Sequence, residues 1–279
     1  MGAGIKLDSG ELQMSETSAE QTSVFWVASY PRSGNTLVRI ALSRILLPPE
    51  SQRDLDKNFP EYVNGGEMPS DGVHFPTAIG NVLFLKTHWR QPKDGIQCAG
   101  GVYLHRHPVD VFLSAMNYMF INSKNVPGFA RYFHDEPQSV EELARTGELQ
   151  SYLDRFVSDR GLTPMRETSG SWIDNVNGWI GRAERDDILV LSYDSLIADL
   201  NGSMTSILER AGVKVSAERL EKGLVSTRAA TKRDGGFFWR ASPDTKSEFF
   251  SFTQIRMVED ALYPQLNQPD RLPRIREVV

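Results

Sequence analysis

Three groups of residues in this 279-residue chain carry side chains suited to holding anions and moving a proton. The first, Tyr30-Pro-Arg-Ser-Gly-Asn-Thr36, sets Arg32, Ser33, Asn35 and Thr36 around Gly34. A tight glycine turn that feeds a helix start gathers backbone N–H groups at one point, and the helix dipole adds positive potential there. Arg32 brings a forked charge to the same point. The loop lacks Gly-x-x-x-x-Gly-Lys-Ser/Thr, whose last two residues serve β- and γ-phosphates and magnesium. It therefore reads as a seat for a terminal phosphate, with no metal required. Taken alone, it is also an ordinary strand-to-helix turn.

The second group is Lys86-Thr-His88. Residues two apart on a strand share a face, so both side chains point the same way. An imidazole with an ordinary pKa of about 6.5 suits the removal of a proton from a hydroxyl. Lys86 would stabilise charge on the group being transferred. The third group pairs Arg106 at a strand end with Ser114, about two turns into the next helix. An arginine and a hydroxyl meeting this way clamp a second phosphate; the plainer alternative for Arg106 is an ion pair with Asp110. His105 and His107 flank Arg106, but no carboxylate or cysteine set completes a metal shell.

These groups need elements to position them. Val24–Ala28, Val82–Lys86, Gly101–Arg106 and Ile188–Tyr193 are continuous apolar runs, as expected of strands covered on both faces. Thr36–Leu47 has apolar residues at helical spacing and is stopped by Pro48-Pro49. Pro108–Phe120 opens with proline, as helices do. Alternating strands and helices imply an α/β fold, a three-layer αβα arrangement with a central parallel sheet. The expected organisation is a flexible tail over 1–22 and a single domain over 23–279. The stretch 121–170, mixed in composition, reads as either a lid over the site or a solvated insertion.

Together the motifs resemble the PAPS-dependent sulfotransferase family, especially its soluble members, where PAPS is 3′-phosphoadenosine 5′-phosphosulfate. The resemblance implies a P-loop NTPase-like architecture, PAPS as sulfuryl donor and PAP, the desulfated nucleotide, as product. It implies donor contacts at Arg32, Ser33, Gly34, Asn35 and Thr36, a catalytic base at His88 with Lys86 and Arg32 beside it, and a 3′-phosphate clamp at Arg106 and Ser114. Gly170-Ser-Trp172 with Val176 and Trp179 resembles a helix near the nucleotide. Leu191-Ser-Tyr-Asp194 resembles the strand end whose tyrosine, here Tyr193, contacts adenine. Lys232-Arg-Asp-Gly-Gly-Phe-Phe-Trp-Arg240 is similar to a basic segment whose Lys232 and Arg233 would grip the 3′-phosphate. Asp234, Phe237 and Phe238 depart from the pattern of that segment, and two positions depart at the loop: arginine stands for the usual lysine at position 32, and Leu37 stands for an aromatic residue.

Composition narrows the partners. A net charge of −5 argues against nucleic acid as the main ligand. No apolar run is long enough to span a bilayer, and the start has no signal-peptide core. A single cysteine, Cys98, suits a reducing compartment, so a cytoplasmic enzyme is expected. The expected partner is a small molecule with a hydroxyl: a phenol, alcohol, sugar or natural-product scaffold, with an amine also open, as is the oligomeric state. The acceptor would meet walls from 59–76 and 121–170, with Tyr62, Phe75, Phe129 and Tyr132 in those stretches and Tyr118 and Phe120 just ahead of the second. The rival readings are a P-loop kinase, which needs a Walker lysine that is absent, and a nucleotide-binding protein that has lost catalysis.

Overall fold

A computed structural model describes residues 4–8, 11–15, 22–63, 66–69, 71–78, 80–233 and 245–272. Its strands are β1 (Gly4–Asp8), β2 (Glu11–Ser15), β3 (Thr22–Ser29), β4 (Glu61–Tyr62), β5 (His74–Thr77), β6 (Gly80–Thr87), β7 (Cys98–His105) and β8 (Ile188–Ser192). In chain order the helices are α1 (Asn35–Leu46), α2 (Leu55–Asn58), α3 (Pro108–Asn122), α4 (Pro127–Ala130), α5 (Val140–Thr146), α6 (Leu149–Ser158) and α7 (Arg166–Ser169). They continue with α8 (Trp172–Ile180), α9 (Tyr193–Ala198), α10 (Leu200–Arg210), α11 (Ala217–Arg233), α12 (Thr245–Phe249) and α13 (Phe252–Leu262).

The strands form one sheet in the order β2-β1-β5-β6-β3-β7-β8, with β4 added beside β6. The consecutive strands β6, β3, β7 and β8, the last of them at the sheet edge, are parallel. They coincide with the four apolar runs; for β6, β3 and β7 the reason is two-sided burial, while β8 at the edge is half-buried. Trp26, Ala28, Leu85 and Tyr103 pack under α3, α6, α8 and α13, while Phe25, Val27, Phe84, Val102 and Leu104 pack under α1 and α10. Each such side chain contributes about 1.5–3 kcal/mol of burial, so alternating residues lock the sheet between two helical layers.

Three features differ from the sequence expectation. The sheet is mixed at its far edge, because β5 runs antiparallel to β6 and β1 antiparallel to β2. The two segments of β-structure in 4–15 fall within the stretch read as a tail, and β1 meets β5 at Gly4 and His74. Tyr193 does not close β8: Ser192 caps a new helix by accepting from Ser195 N, and Tyr193 opens α9. In 121–170, Val140, Leu143, Leu149, Leu153 and Phe156 are fully buried core residues, so α5 and α6 are packed structure rather than a solvated insertion.

Candidate active site

The four parallel strands end on one edge, and each delivers a functional group there. Beyond β3 comes the 30–34 turn, beyond β6 His88, beyond β7 Arg106 and beyond β8 Tyr193. The carboxyl edge of a parallel sheet is where ligands bind in open α/β folds. A cavity of about 490 Å³ opens along it, lined by Arg32, Gly34, Asn35, Thr36, Lys86, His88, Arg106, Ser114 and Tyr193. Residues from four separate sequence segments thus meet in one place.

The loop is built to leave donors open. Arg32 and Gly34 both adopt left-handed backbone, at φ 71° and 107°. Glycine suits position 34, because φ 107° strains any side chain and a Cβ would stand only 3.0 Å from Tyr193 Cδ2. Arg32 holds the same region at a cost of about 1 kcal/mol or more. Asn35 Nδ2 donates to the Val27 carbonyl at 2.8 Å and stitches the loop to β3. No side chain caps α1 at Gly34, so its first-turn N–H groups remain for a ligand. Ser33 is fully buried behind the cavity, and its hydroxyl has no hydrogen-bond partner among the described residues.

Two guanidinium groups lie over this loop. Arg32 Nε donates to Ser114 Oγ at 3.3 Å, and the group sits 4.6 Å from the Tyr118 ring centre. Arg106 sits 4.1 Å from the Tyr193 ring centre and donates from Nη1 to the Arg32 carbonyl at 3.4 Å. Burial lowers the Arg32 pKa from the ordinary guanidinium value to about 10, Tyr118 opposes that shift, and the neighbouring Arg106 charge adds to it. Arg32 stays charged at neutral pH. Asp110 is not the partner of Arg106: its carboxylate is buried against Lys246, which donates from Nζ at 3.1 Å and from its backbone at 3.0 Å. His107 is taken up structurally, capping α3 and meeting Glu259 at 3.1 Å.

His88 is held with one nitrogen ready. Its Nδ1 lies 2.9 Å from the Ser29 carbonyl. A carbonyl only accepts, so Nδ1 carries the hydrogen and Nε2 keeps its lone pair. Burial, then the Lys86 charge, lowers the pKa from 6.5 to about 4, with Glu61 opposing. The imidazole is neutral at pH 7. Its backbone is fixed by α8, where Asn175 Nδ2 donates to the His88 carbonyl at 2.9 Å and Trp179 Nε1 to the Trp89 carbonyl at 2.8 Å. Gly178 permits this approach, since a Cβ there would fall 1.9 Å from the Arg90 carbonyl oxygen.

The remaining walls combine charge with apolar surface. Tyr118, Phe129, Met165 and Thr168 form one side, and Arg39, Asp56, Glu61 and Val63 another. Tyr30 ties the first side to the loop by accepting from Leu162 N at 2.8 Å. Of the aromatic residues expected in the walls, Tyr118 and Phe129 reach the cavity, whereas Tyr62, Phe75 and Tyr132 are core. Lys232 and Arg233 end α11, and their side chains lie outside the described residues, as does 234–244 with Trp239 and Arg240. Arg39, Asp56, Glu61 and Asn175 were not foreseen as site residues. Arg39 had a signal, standing one turn beyond Thr36 on α1; the pairing that brings Glu61 in is non-local and leaves none.

An anion loop after the first long strand of a parallel sheet, with cationic groups on the neighbouring strand ends, defines a P-loop-like α/β fold. Within that class the assignment is specific: the sulfotransferase-domain family model matches residues 22–259, and the chain belongs to that family. A guinea-pig (Cavia porcellus) 3-beta-hydroxysteroid sulfotransferase is 26% identical over 196 residues, covering 69% of this chain and 60% of the relative. The 3-alpha-hydroxysteroid sulfotransferase of the same animal is 28% identical over 120 residues, 43% of this chain and 33% of the relative. These matches span only a third to three-fifths of those relatives' length. Mouse sulfotransferase SULT7A1 complexed with PAP shares the fold at TM-score 0.61 and 16% identity, covering 88% of this chain and 85% of its own. Retinol dehydratase in complex with androsterone and PAP does so at 0.52 and 16%, covering 92% and 82%. Among the described residues, no helix is long and apolar enough to cross a membrane.

Proposed function

We propose that this protein is a sulfotransferase moving a sulfuryl group from PAPS to a hydroxyl of a small molecule. The observation that carries the reading is the neutral His88, with Nε2 unprotonated, in the same cavity as the anion loop and the Arg32–Arg106 pair. The residues fit a bisphosphorylated donor. The partnerless Ser33 hydroxyl and the uncapped α1 start suit its 5′ end, and Arg106 with Ser114 suits its 3′-phosphate. When bound, the donor supplies a sulfuryl group on a good leaving oxygen.

The chain then supplies positioning and charge. Nε2 of His88 takes the acceptor proton as its oxygen bonds to sulfur. Lys86 and Arg32 stabilise charge growing on the oxygen that leaves. Arg32 does this as a fixed cation rather than a proton donor, because it remains protonated throughout the working range. Such transfer rests on alignment more than on covalent chemistry. Val63, Tyr118, Phe129 and Met165 give the acceptor apolar surface, and the relatives named for hydroxysteroids put a hydroxyl on an apolar ring skeleton first among acceptors to screen.

A thermal-shift experiment tests the donor assignment. PAP at about one hundred times its Kd stabilises the fold by about 2.7 kcal/mol, which is several degrees in Tm. ATP with magnesium produces no comparable shift. The reverse order of the two nucleotides overturns the proposal. Incubation with PAPS and an acceptor panel, read by mass spectrometry for a sulfuryl adduct, then identifies the acceptor.

A further inference from the structure

The carboxylate of Glu61 sits where an anion site would be expected to exclude it. The two-residue strand β4 lies parallel to the end of β6, with Glu61 across from Lys86 and Tyr62 across from Thr87. Lys86 N donates to the Pro60 carbonyl at 3.0 Å, fixing the strand there. Lys86 Nζ is 2.7 Å from Glu61 Oε2, with the two side chains 14% and 35% exposed. Both line the cavity beside His88. A carboxylate here competes with the donor for the lysine meant to meet it.

We propose that Glu61 is a positioning residue that holds Lys86 while the donor site is empty and releases it to the donor on binding. The inference rests on the sulfuryl-transfer reading above. Its consequence falls on His88. The charged groups acting on the imidazole are Lys86 on β6, Glu61 on β4 and Arg39 on α1, with Asp56 of α2 paired to it; Arg32 and Arg106 line the same cavity. Lys86 and Arg39 disfavour the imidazolium, and Glu61 favours it. Once the donor's negative charge engages Lys86, the charge of Glu61 is no longer cancelled. Donor and Glu61 then both favour the imidazolium that forms when the acceptor proton arrives. Donor binding and base strength are thereby coupled.

Glu61→Gln keeps the shape and removes the charge. In calorimetric titration of the full chain with PAP, this variant binds roughly threefold to fivefold more tightly than wild type, the scale of a partly exposed ion pair. In a Lys86→Met background the same substitution changes PAP affinity little, because the lysine that Glu61 restrains is gone. In turnover, Glu61→Gln lowers KM for PAPS and kcat together and moves the acid limb of kcat to lower pH, whereas structural damage raises KM. Tightening that persists undiminished without Lys86, or a KM and pH limb at wild-type values, overturns the handover. A wild-type protein that binds no PAP overturns the sulfuryl-transfer reading instead.

Discussion

At the scale of single residues, the site rests on what each neighbour does to a protonation state. His88 is kept neutral by burial and by Lys86, and its tautomer is fixed by a carbonyl acceptor rather than by a carboxylate. Replacing it with alanine removes the base and leaves the arginines and the loop in place. His88→Ala is therefore expected to lower kcat by about 10²- to 10⁴-fold with PAP affinity nearly unchanged, a contrast that paired turnover and titration measurements resolve. Equal losses in both would mean that the histidine serves binding instead. The pH profile has a definite sign. A base lowered to about 4 stays unprotonated well below 6.5, so activity in kcat/KM for PAPS persists into mildly acidic solution and falls as pH approaches 4. With the anionic donor bound the imidazolium is favoured, and the acid limb of kcat moves to higher pH than that of kcat/KM.

Elements decide whether those residues meet. The parallel strands were legible because burial, two-sided at β6, β3 and β7, writes an unbroken apolar run, and α1 and α3 were legible from helical spacing and proline positions. The strand ends then placed Arg32, Lys86, His88 and Arg106 on one edge without further information. The short strands were not legible, since β4 exists only through pairing with β6 and β5 through pairing with β6 and β1, and two to four residues carry no period. The Glu61–Lys86 pair was lost with them. The support beneath His88 was equally hidden, because it depends on the close approach of α8 to the 88–91 segment. Adding a Cβ at Gly178 puts it 1.9 Å from a backbone oxygen that has no rotamer to change. Gly178→Ala should destabilise the fold by about 1–3 kcal/mol as overpacking, measured by denaturant unfolding. Because the displaced segment carries His88 and not the arginines, kcat should fall further than PAP affinity; an intact kcat in a destabilised protein would detach α8 from the site.

Over the whole molecule, an acidic chain keeps a cationic cavity at one sheet edge and neutral imidazoles beside it. The overall charge of −5 bears on large polyanionic partners but says nothing about this local field, which depends on where four strands end. His105 shows how the fold constrains stability across pH. It closes β7 at 4% exposure, its Nδ1 has no partner among the described residues, and burial lowers its pKa from 6.5 to about 4. In the unfolded chain the ring takes a proton below about 6.5; in the fold it does so only near 4. Between these values the unfolded state binds more protons, so stability rises with pH through the window and is lost as pH falls through it. The ceiling for this one ring is about 3 kcal/mol, with His88 acting in the same direction. His105→Leu removes the titration and the partnerless nitrogen at similar volume. Chemical unfolding of this variant should match or exceed wild-type stability at pH 7 and lose less of it on acidification from 6.5 to 4. A slope identical to wild type would show that the carboxylates, and not this histidine, govern the acid limit of the fold.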